Sequence, residues 1–574
     1  MQVDVASTFD ELDAWKDDWE RVHAADGEAH CFLSWAWMRR WLERRSPWLV
    51  LAARRTPPNH GYVAFLPIQL RISADDTGLF NLVLLGGAPF AGYCGMIAVP
   101  EEAEAALDAF AAFLQDEVGW RHFVLDDVLM SELRLKRLLD AFPQAEFTHG
   151  KVKRAAHVTA GGDSIDHDVY VYVPLADDYE DFLSEKLGAR TRRHARKALR
   201  LLDDPEQELK VTLPTADTLA ESIDTFCELW RRQWWDLRPT YGEFILESAR
   251  HMLPACFEAG MLHMPILRHR GSPVAAFVIL LDPSRRTMVG FLSGRDLSFD
   301  RSVSPGLILH CHSIRWGIEN GYRIYDLGTG DYSYKDSFGS EHRIVEKYRV
   351  STRDGQNIGG RLDPRTVDEA LARTAALARE GKLALAATCC AQVIAAAPTD
   401  PRASALAAEI DKARHVLSER RFAAATALLR ADSLADAERA LLEVVDLSPR
   451  HAGALQALAL LRLRKGDFDG AIRHIDEAIA VLPGSAPAHF CRGNILVRQG
   501  RFGEALESYE RAVALDGNHA PAFNNRGTLL YRMGRREEAI DSYRRALAID
   551  PGFVSAADNL ERACGERHAV PVQS

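Results

Sequence analysis

The sequence has no apolar run approaching the eighteen residues that a membrane helix needs. Its first twenty residues, MQVDVASTFDELDAWKDDWE, carry acidic charge and no apolar core, so neither a membrane span nor Sec export is expected. No two of its nine cysteines stand in a C-x-x-C pair, the spacing used by zinc sites and redox dithiols, and an odd number cannot all pair. They read as small buried hydrophobes in a reducing cytoplasm, with no metal expected. A basic excess is missing too: the formal net charge is -11, unevenly spread. From Val367 onward 27 basic residues meet 27 acidic ones, whereas the first 366 residues hold 43 against 54. An acidic front argues against nucleic-acid coating, and DNA is not an expected partner.

What is present starts with length: 574 residues, enough for several domains, the last third of them periodic at 34. Pro449, Pro483 and Pro551 share one phase, with Gly517 at the step between. The same phase carries Ala437, Ala471, Ala505 and Ala539, then Leu441, Ile475, Tyr509 and Tyr543, then Ala478, Ala512 and Ala546. Small residues suit a close helix crossing, large ones fill the space between repeats, and Pro stops the second helix. With Gly493 and Gly527 at the crossing and Gly466, Gly500 and Gly534 at the turn, the pattern resembles the tetratricopeptide repeat (TPR). Repeats with a capping helix are expected over residues 452–567, preceded by irregular repeat-like helices over 367–451, where 51 residues separate Pro398 from Pro449. Such an all-α superhelix offers a concave surface for a protein partner and no catalytic group. Asn524, Asn525, Tyr531 and Arg532 read as an exposed face, solvated or in contact with a peptide.

The front reads as two α/β segments. Residues 1–165 hold a Trp-rich helix, strand-like runs (WLVLAARR, GYVAFLPIQLRI, LFNLVLLGG), a helix (EEAEAALDAFAAFLQDEV) and a further strand. Residues 166–352 open on a strand, VYVYVPL, and a helix carrying Lys186, Arg190, Arg192, Arg193, Arg196, Lys197 and Arg200. So many like charges make either a solvated face or a site for an anion. A hairpin turning at Arg270-Gly271-Ser272 and a third strand, TMVGFLSG, follow. Then come Arg301, Ser304, Pro305 and Gly306, a helix, and the strand YRIYDLG. Pro and Gly at a helix entrance leave N–H groups free where the dipole favours an anion. Residues 353–366 read as a linker.

The order of basic helix, three antiparallel strands, R-x-x-S-P-G, helix and strand resembles the GNAT superfamily of acyl-CoA N-acyltransferases, with Ser304 where a glycine is usual. The closing stretch, from Tyr325 and Asp326 through Gly328, Gly330, Asp331, Tyr334 and Lys335 to Phe338 and Gly339, resembles the BioF2-like acetyltransferase group. That group includes proteins linked to cellulose and exopolysaccharide synthesis, and the ending is similar to that of Fem-type aminoacyltransferases. The resemblance spans residues 1 to about 350 and implies two GNAT-like halves, each a mixed sheet flanked by helices.

It also implies acetyl-CoA or another acyl-CoA as cosubstrate and a small-molecule or sugar amine as acceptor. Val289, Phe291 and Ser293 on the third strand, with Arg301, Ser304 and Gly306, would hold the donor. Lys335 would stabilise charge on the transferring carbonyl, Asp331 would take the amine proton or fix the acceptor, and Tyr334 would protonate the thiolate. Asp326 is a candidate for substrate binding or for a structural cap; Arg193 and Arg196 are candidates on the basic helix. Two other classes stay open: a Fem-like aminoacyltransferase using charged tRNA, and a non-catalytic GNAT shell acting as scaffold beside the repeats.

Overall fold

A computed structural model describes every residue except 57–60, 155–156, 159–163, 236–238, 300–302, 346 and 566–574. The chain forms two compact units: Met1–Arg373 with Gln392–Pro398, and Thr374–Ala391 with Thr399–Ser574.

The first unit contains two large sheets and a short ribbon. Its strands are β1 Gln2–Ala6, β2 Trp48–Arg54, β3 Ala64–Asp75, β4 Gly78–Leu85, β5 Ile97–Ala98, β6 His122–Leu125, β7 Phe147–Val152, β8 His157–Val158 and β9 Ser164–Ile165. Then follow β10 Val169–Pro174, β11 Leu209–Thr212, β12 Leu262–His263, β13 Ile266–His269, β14 Ser272–Asp282, β15 Thr287–Arg295, β16 Ile324–Thr329, β17 Glu341–Ile344 and β18 Lys347–Thr352. The first sheet has the order β1-β2-β3-β4-β6-β18-β7, and the second β11-β13-β14-β15-β16-β10-β17.

Both sheets repeat one plan. Three antiparallel strands are followed by a helix (Ala103–Asp116, or Pro305–Glu319) and a strand parallel to the third, β6 beside β4 and β16 beside β15. The apolar runs of β3 and β14 are buried along most of their length, as expected of strands covered on both faces. The hairpin forms where Arg270 and Gly271 both take positive φ, so that His269 pairs with Ser272.

One strand crosses between the segments. β10, the first strand of the second segment, lies between β16 and β17 in the second sheet, whereas β18, its last, lies between β6 and β7 in the first. The expected boundary at 165/166 falls between the strands of the two large sheets, but the second segment, drawn to residue 352, ends on a strand of the first sheet. Residues 353–366 do not run as a free linker. The backbone N–H of buried Asn81 donates to Asn357 Oδ1 (2.9 Å), its side-chain amide donates to Thr366 Oγ1 (2.8 Å), and its Oδ1 accepts from Asp363 N–H (2.9 Å). A buried amide needs those partners.

In the second unit the regular repeats are helix pairs: Ala452–Arg464 with Phe468–Val481, Ala486–Arg498 with Phe502–Leu515, and Ala520–Arg532 with Arg536–Ile549. Gly493 and Gly527 are required at the crossings, since a Cβ would stand 2.5 Å and 2.7 Å from the Tyr509 and Tyr543 rings. The long spacing before Pro449 belongs to one continuous helix, Pro401–Arg430, followed by Leu434–Leu447. Val554–Gly565 closes the array.

Candidate active site

The site begins with a departure from sheet regularity. β15 and β16 pair in parallel only over Thr287–Val289 and Ile324–Asp326. In the β14 pairing Ile279 faces Gly290 and Val278 faces Leu292, which leaves Phe291 as an extra residue. A bulge bends its strand and sharpens its twist, and here it falls just past the last parallel pair. β15 and β16 diverge from that point, and a cavity of about 810 Å³ opens between them.

Its walls include the edge of β15 (Val289 to Arg295), neighbouring parts of β14 and β16, the start of helix Pro305–Glu319, the segment Tyr332–Phe338, and an aromatic side with Phe90, Trp230, Trp234 and Tyr241. Arg295 and Lys335 bring positive charge, and no Asp or Glu occurs among the described lining residues.

Lys335 lies on the short helix Ser333–Asp336 and is only 2% exposed. Gly328 and Gly330 take φ of 70° and 88°, which turns the chain after β16 so that the lysine folds back over the strand end. Its Nζ donates to the carbonyls of Thr329 (2.7 Å) and Gly328 (3.1 Å). Desolvation lowers its pKa to about 8, against the opposing pull of Asp326, Asp331 and Asp336. Tyr334 is half exposed at the rim, and its phenol is held above the usual range, chiefly by desolvation.

Ser304 and Gly306 both line the cavity, yet their roles differ from the expected cradle. Ser304 Oγ caps its own helix, accepting from Leu307 N–H (3.2 Å). Pro305 has no N–H, so the first-turn donor left for a ligand is Gly306, where an added Cβ would meet open space. On β15, the Ser293 carbonyl accepts from Trp234 Nε1 (2.9 Å), which removes one of the backbone groups expected to hold the donor. Val289, Phe291 and Ser293 remain on the cavity wall.

Other expected site residues lie elsewhere. Asp326 is 2% exposed and structural: Oδ1 accepts from Gly328 N–H (2.8 Å), while Oδ2 accepts from Arg343 Nη2 (2.8 Å) and from the hydroxyl of Tyr93. This network ties the second sheet to a residue of the first half. Asp331 accepts from Asp166 N–H (2.8 Å) and is not part of the wall. Arg193 and Arg196, on the helix Ala189–Asp203, are not among the residues that line the cavity, and Arg196 pairs with Glu180 at 2.6 Å. Arg301 lies outside the described residues.

Sequence reasoning missed two wall residues with chemistry. His310 lies one helical turn after Gly306, so the i, i+4 spacing within LILHCHSIRW was the available clue. Its Nδ1 stands 3.2 Å from the Tyr325 hydroxyl, and burial drops its pKa to about 3, so the ring stays neutral. Arg295 ends β15 with its Nε buried and unpartnered among the described residues. No cluster of His, Cys, Asp or Glu suited to a metal ion occurs among the described residues, and no described helix is long and apolar enough to cross a membrane.

Comparison with known proteins adds three family matches. Residues 189–336 match the acetyltransferase (GNAT) domain, and residues 422–487 and 485–551 each match a tetratricopeptide repeat family. No curated protein matches the chain. Among solved structures, the chain is similar to MamA (23% identity, 25% of this chain and 83% of that one, TM-score 0.24). It is also similar to Pseudomonas aeruginosa pilF (19% identity, 27% and 70%, TM-score 0.26). A third is YrrB, described as a TPR protein with an unusual peptide-binding site (16% identity, 33% and 89%, TM-score 0.22).

Proposed function

We propose that this chain, which carries a GNAT-type acetyltransferase domain and tetratricopeptide repeats, is an acyl-CoA-dependent N-acyltransferase, with acetyl the expected group and an amine the acceptor. One observation carries the reading: β15 and β16 diverge at the Phe291 bulge into a cavity with a helix N-terminus on one side and a buried ammonium on the other.

The donor supplies an activated thioester carbonyl. The protein's own groups fit such a molecule. Gly306 N–H, the helix dipole and Arg295 suit phosphates. The backbone of Gly290 and Phe291, past the last pair with β16, suits an extended amide-bearing arm. Lys335 Nζ suits negative charge growing on the acyl oxygen, where a preorganised donor in a dry site is worth roughly 10²–10³ in rate. Tyr334, protonated across the physiological range, suits proton donation to a leaving thiolate. His310, neutral and tethered to Tyr325, suits positioning rather than base catalysis.

The repeats are read as a protein-interaction array. A role in exopolysaccharide or cell-envelope synthesis rests on the resemblance of residues 325–339 to the BioF2-like group alone. Eight buried cysteines outside any disulfide among the described residues support a reducing compartment, the cytoplasm.

The test is ligand-induced thermal shift with acetyl-CoA, longer acyl-CoAs and tRNA, followed by CoA release assays over a panel of amines. Only a species that binds the native state raises its stability. Stabilisation by acyl-CoA with amine-dependent CoA release is expected. Stabilisation by tRNA alone would transfer the site to the aminoacyl reading, and a response to neither would leave a scaffold.

A further inference from the structure

The gap between β15 and β16 opens onto both faces of the second sheet. On one face Val278 of β14 packs in a core with Val289, Trp230 and Ile245; on the other, Phe277 and Ile279 pack with Tyr325, Phe338 and Ile308 of the helix Pro305–Glu319, as strand alternation requires. Residues of both sets line the cavity of about 810 Å³, so it passes through the sheet from the helix entrance to the opposite face. Lys335 Nζ, held by the carbonyls of Gly328 and Thr329 at the end of β16, stands at the crossing.

The two ends differ in chemistry. Ser304, Gly306 and His310 mark the helix end. The far face is built from Phe90 on a loop of the first half, Trp230 and Trp234 of the helix Leu219–Trp234, Tyr241 and Ile245 of the helix Pro239–Glu258, and Phe291 at the bulge. Phe90 meets Phe291 edge to face, with ring centroids 5.0 Å apart. Four donors on this side are already spent within the protein. The Tyr93 hydroxyl donates to Asp326, the Tyr170 hydroxyl to Asp127 Oδ1 (2.8 Å), the Tyr241 hydroxyl to the Pro89 carbonyl (3.1 Å), and Trp234 Nε1 to the Ser293 carbonyl (2.9 Å). A polar ligand lying against these rings would lose water without gaining those hydrogen bonds, whereas an alkyl chain needs none.

We propose that the acyl group taken by this site is a medium-length alkyl chain, bound on the aromatic face that the first half helps to build. A donor with its phosphates at Gly306 and its carbonyl at Lys335 projects onto that face whatever follows the carbonyl. An acetyl methyl ends at the crossing and leaves the rings beyond it against water, while a longer chain removes both surfaces from water. The proposal rests on the reading of the cavity as an acyl-CoA site and replaces the acetyl group expected there with a longer one.

The test is isothermal titration of the full chain with CoA, acetyl-CoA, hexanoyl-CoA and decanoyl-CoA. Hexanoyl-CoA is expected to bind about tenfold or more tighter than acetyl-CoA, decanoyl-CoA at least as tightly as hexanoyl-CoA, and CoA to compete with both. Phe90→Ala should lose about threefold or more of the decanoyl gain, with its affinity for CoA, which has no acyl chain, as the check on folding. The series on the unsubstituted chain is a readout that needs no variant. An undiminished gain in a Phe90→Ala protein that binds CoA overturns the placement on this face. Equal affinity across the series overturns the chain assignment, gives the aromatic face to the acceptor, and leaves the acyl-CoA reading standing. Affinity that falls beyond acetyl overturns the proposal in favour of acetyl. Binding of decanoyl-CoA that CoA does not compete away puts the chain outside this cavity and overturns it as well. Binding of none of the four overturns the proposal and the acyl-CoA reading together.

Discussion

Lys335 is the residue on which the proposed chemistry turns. Burial lowers its pKa from 10.5 to about 8, so the ammonium is present at neutral pH and disappears as pH rises through about 8. The unfolded chain holds that proton up to about 10.5, so the folded state gains stability relative to it as pH rises between the two values. For catalysis the sign is opposite, and the rate at saturating acceptor should fall above pH 8. Lys335→Ala should lower turnover by roughly ten- to a thousandfold with little change in donor binding, and should abolish that limb. Asp331→Asn removes a carboxylate that helps keep the lysine charged, so the limb should move to lower pH while donor binding stays intact. Steady-state pH profiles of the three proteins check both statements; full turnover in Lys335→Ala would end the assignment.

At the scale of elements, the cavity depends on how a bulged strand meets a helix entrance and a covering helix. Gly306 has room for a side chain, so Gly306→Ala should fold normally. Gly306→Asp should still weaken CoA binding about tenfold or more, because a carboxylate would oppose phosphates where the helix dipole is worth about 0.3–2 kcal/mol. Isothermal titration with CoA checks it. Gly294 is the opposite case. A Cβ there would lie 2.5 Å from the backbone nitrogen of Trp230 in the helix Leu219–Trp234. Gly294→Ala should force that helix off β15, disturb the Trp234–Ser293 hydrogen bond, and destabilise the unit by about 1–3 kcal/mol, measurable by denaturant unfolding.

For the whole molecule, the return of β18 to the first sheet and the anchoring of residues 357–366 on Asn81 decide what can be cut. A truncation at Thr352 keeps every strand but removes Asn357, Asp363 and Thr366, the partners of buried Asn81. It should be insoluble or unfolded, since each lost partner of a buried polar group costs about 1–3 kcal/mol. A truncation at Pro398 retains every residue of the first unit and should fold and bind CoA. Expression, circular dichroism and CoA titration separate the two.

The sequence by itself determined the elements and the repeats, because hydrophobic period, turn glycines and the 34-residue phase are local properties that a chain carries without its fold. The hairpin at Arg270-Gly271, the helix opened by Ser304-Pro305 and the crossing glycines of the repeats were all legible in that way. Lys335 was legible through motif resemblance, although its carbonyl partners were not. The buried role of Asn524, 7% exposed and donating to Asn525 Oδ1, was not legible, because an amide that repeats along a helix face looks the same whether solvent or a neighbouring repeat covers it. Only the tertiary structure decided that β18 returns to the first sheet, that Asp326 binds Tyr93 and Arg343, and that His310 and Arg295 share one cavity with Lys335. The reason is physical: strand order and side-chain convergence come from pairings between residues far apart in the chain, and their partners are selected by burial and hydrogen-bond satisfaction once the sheets form.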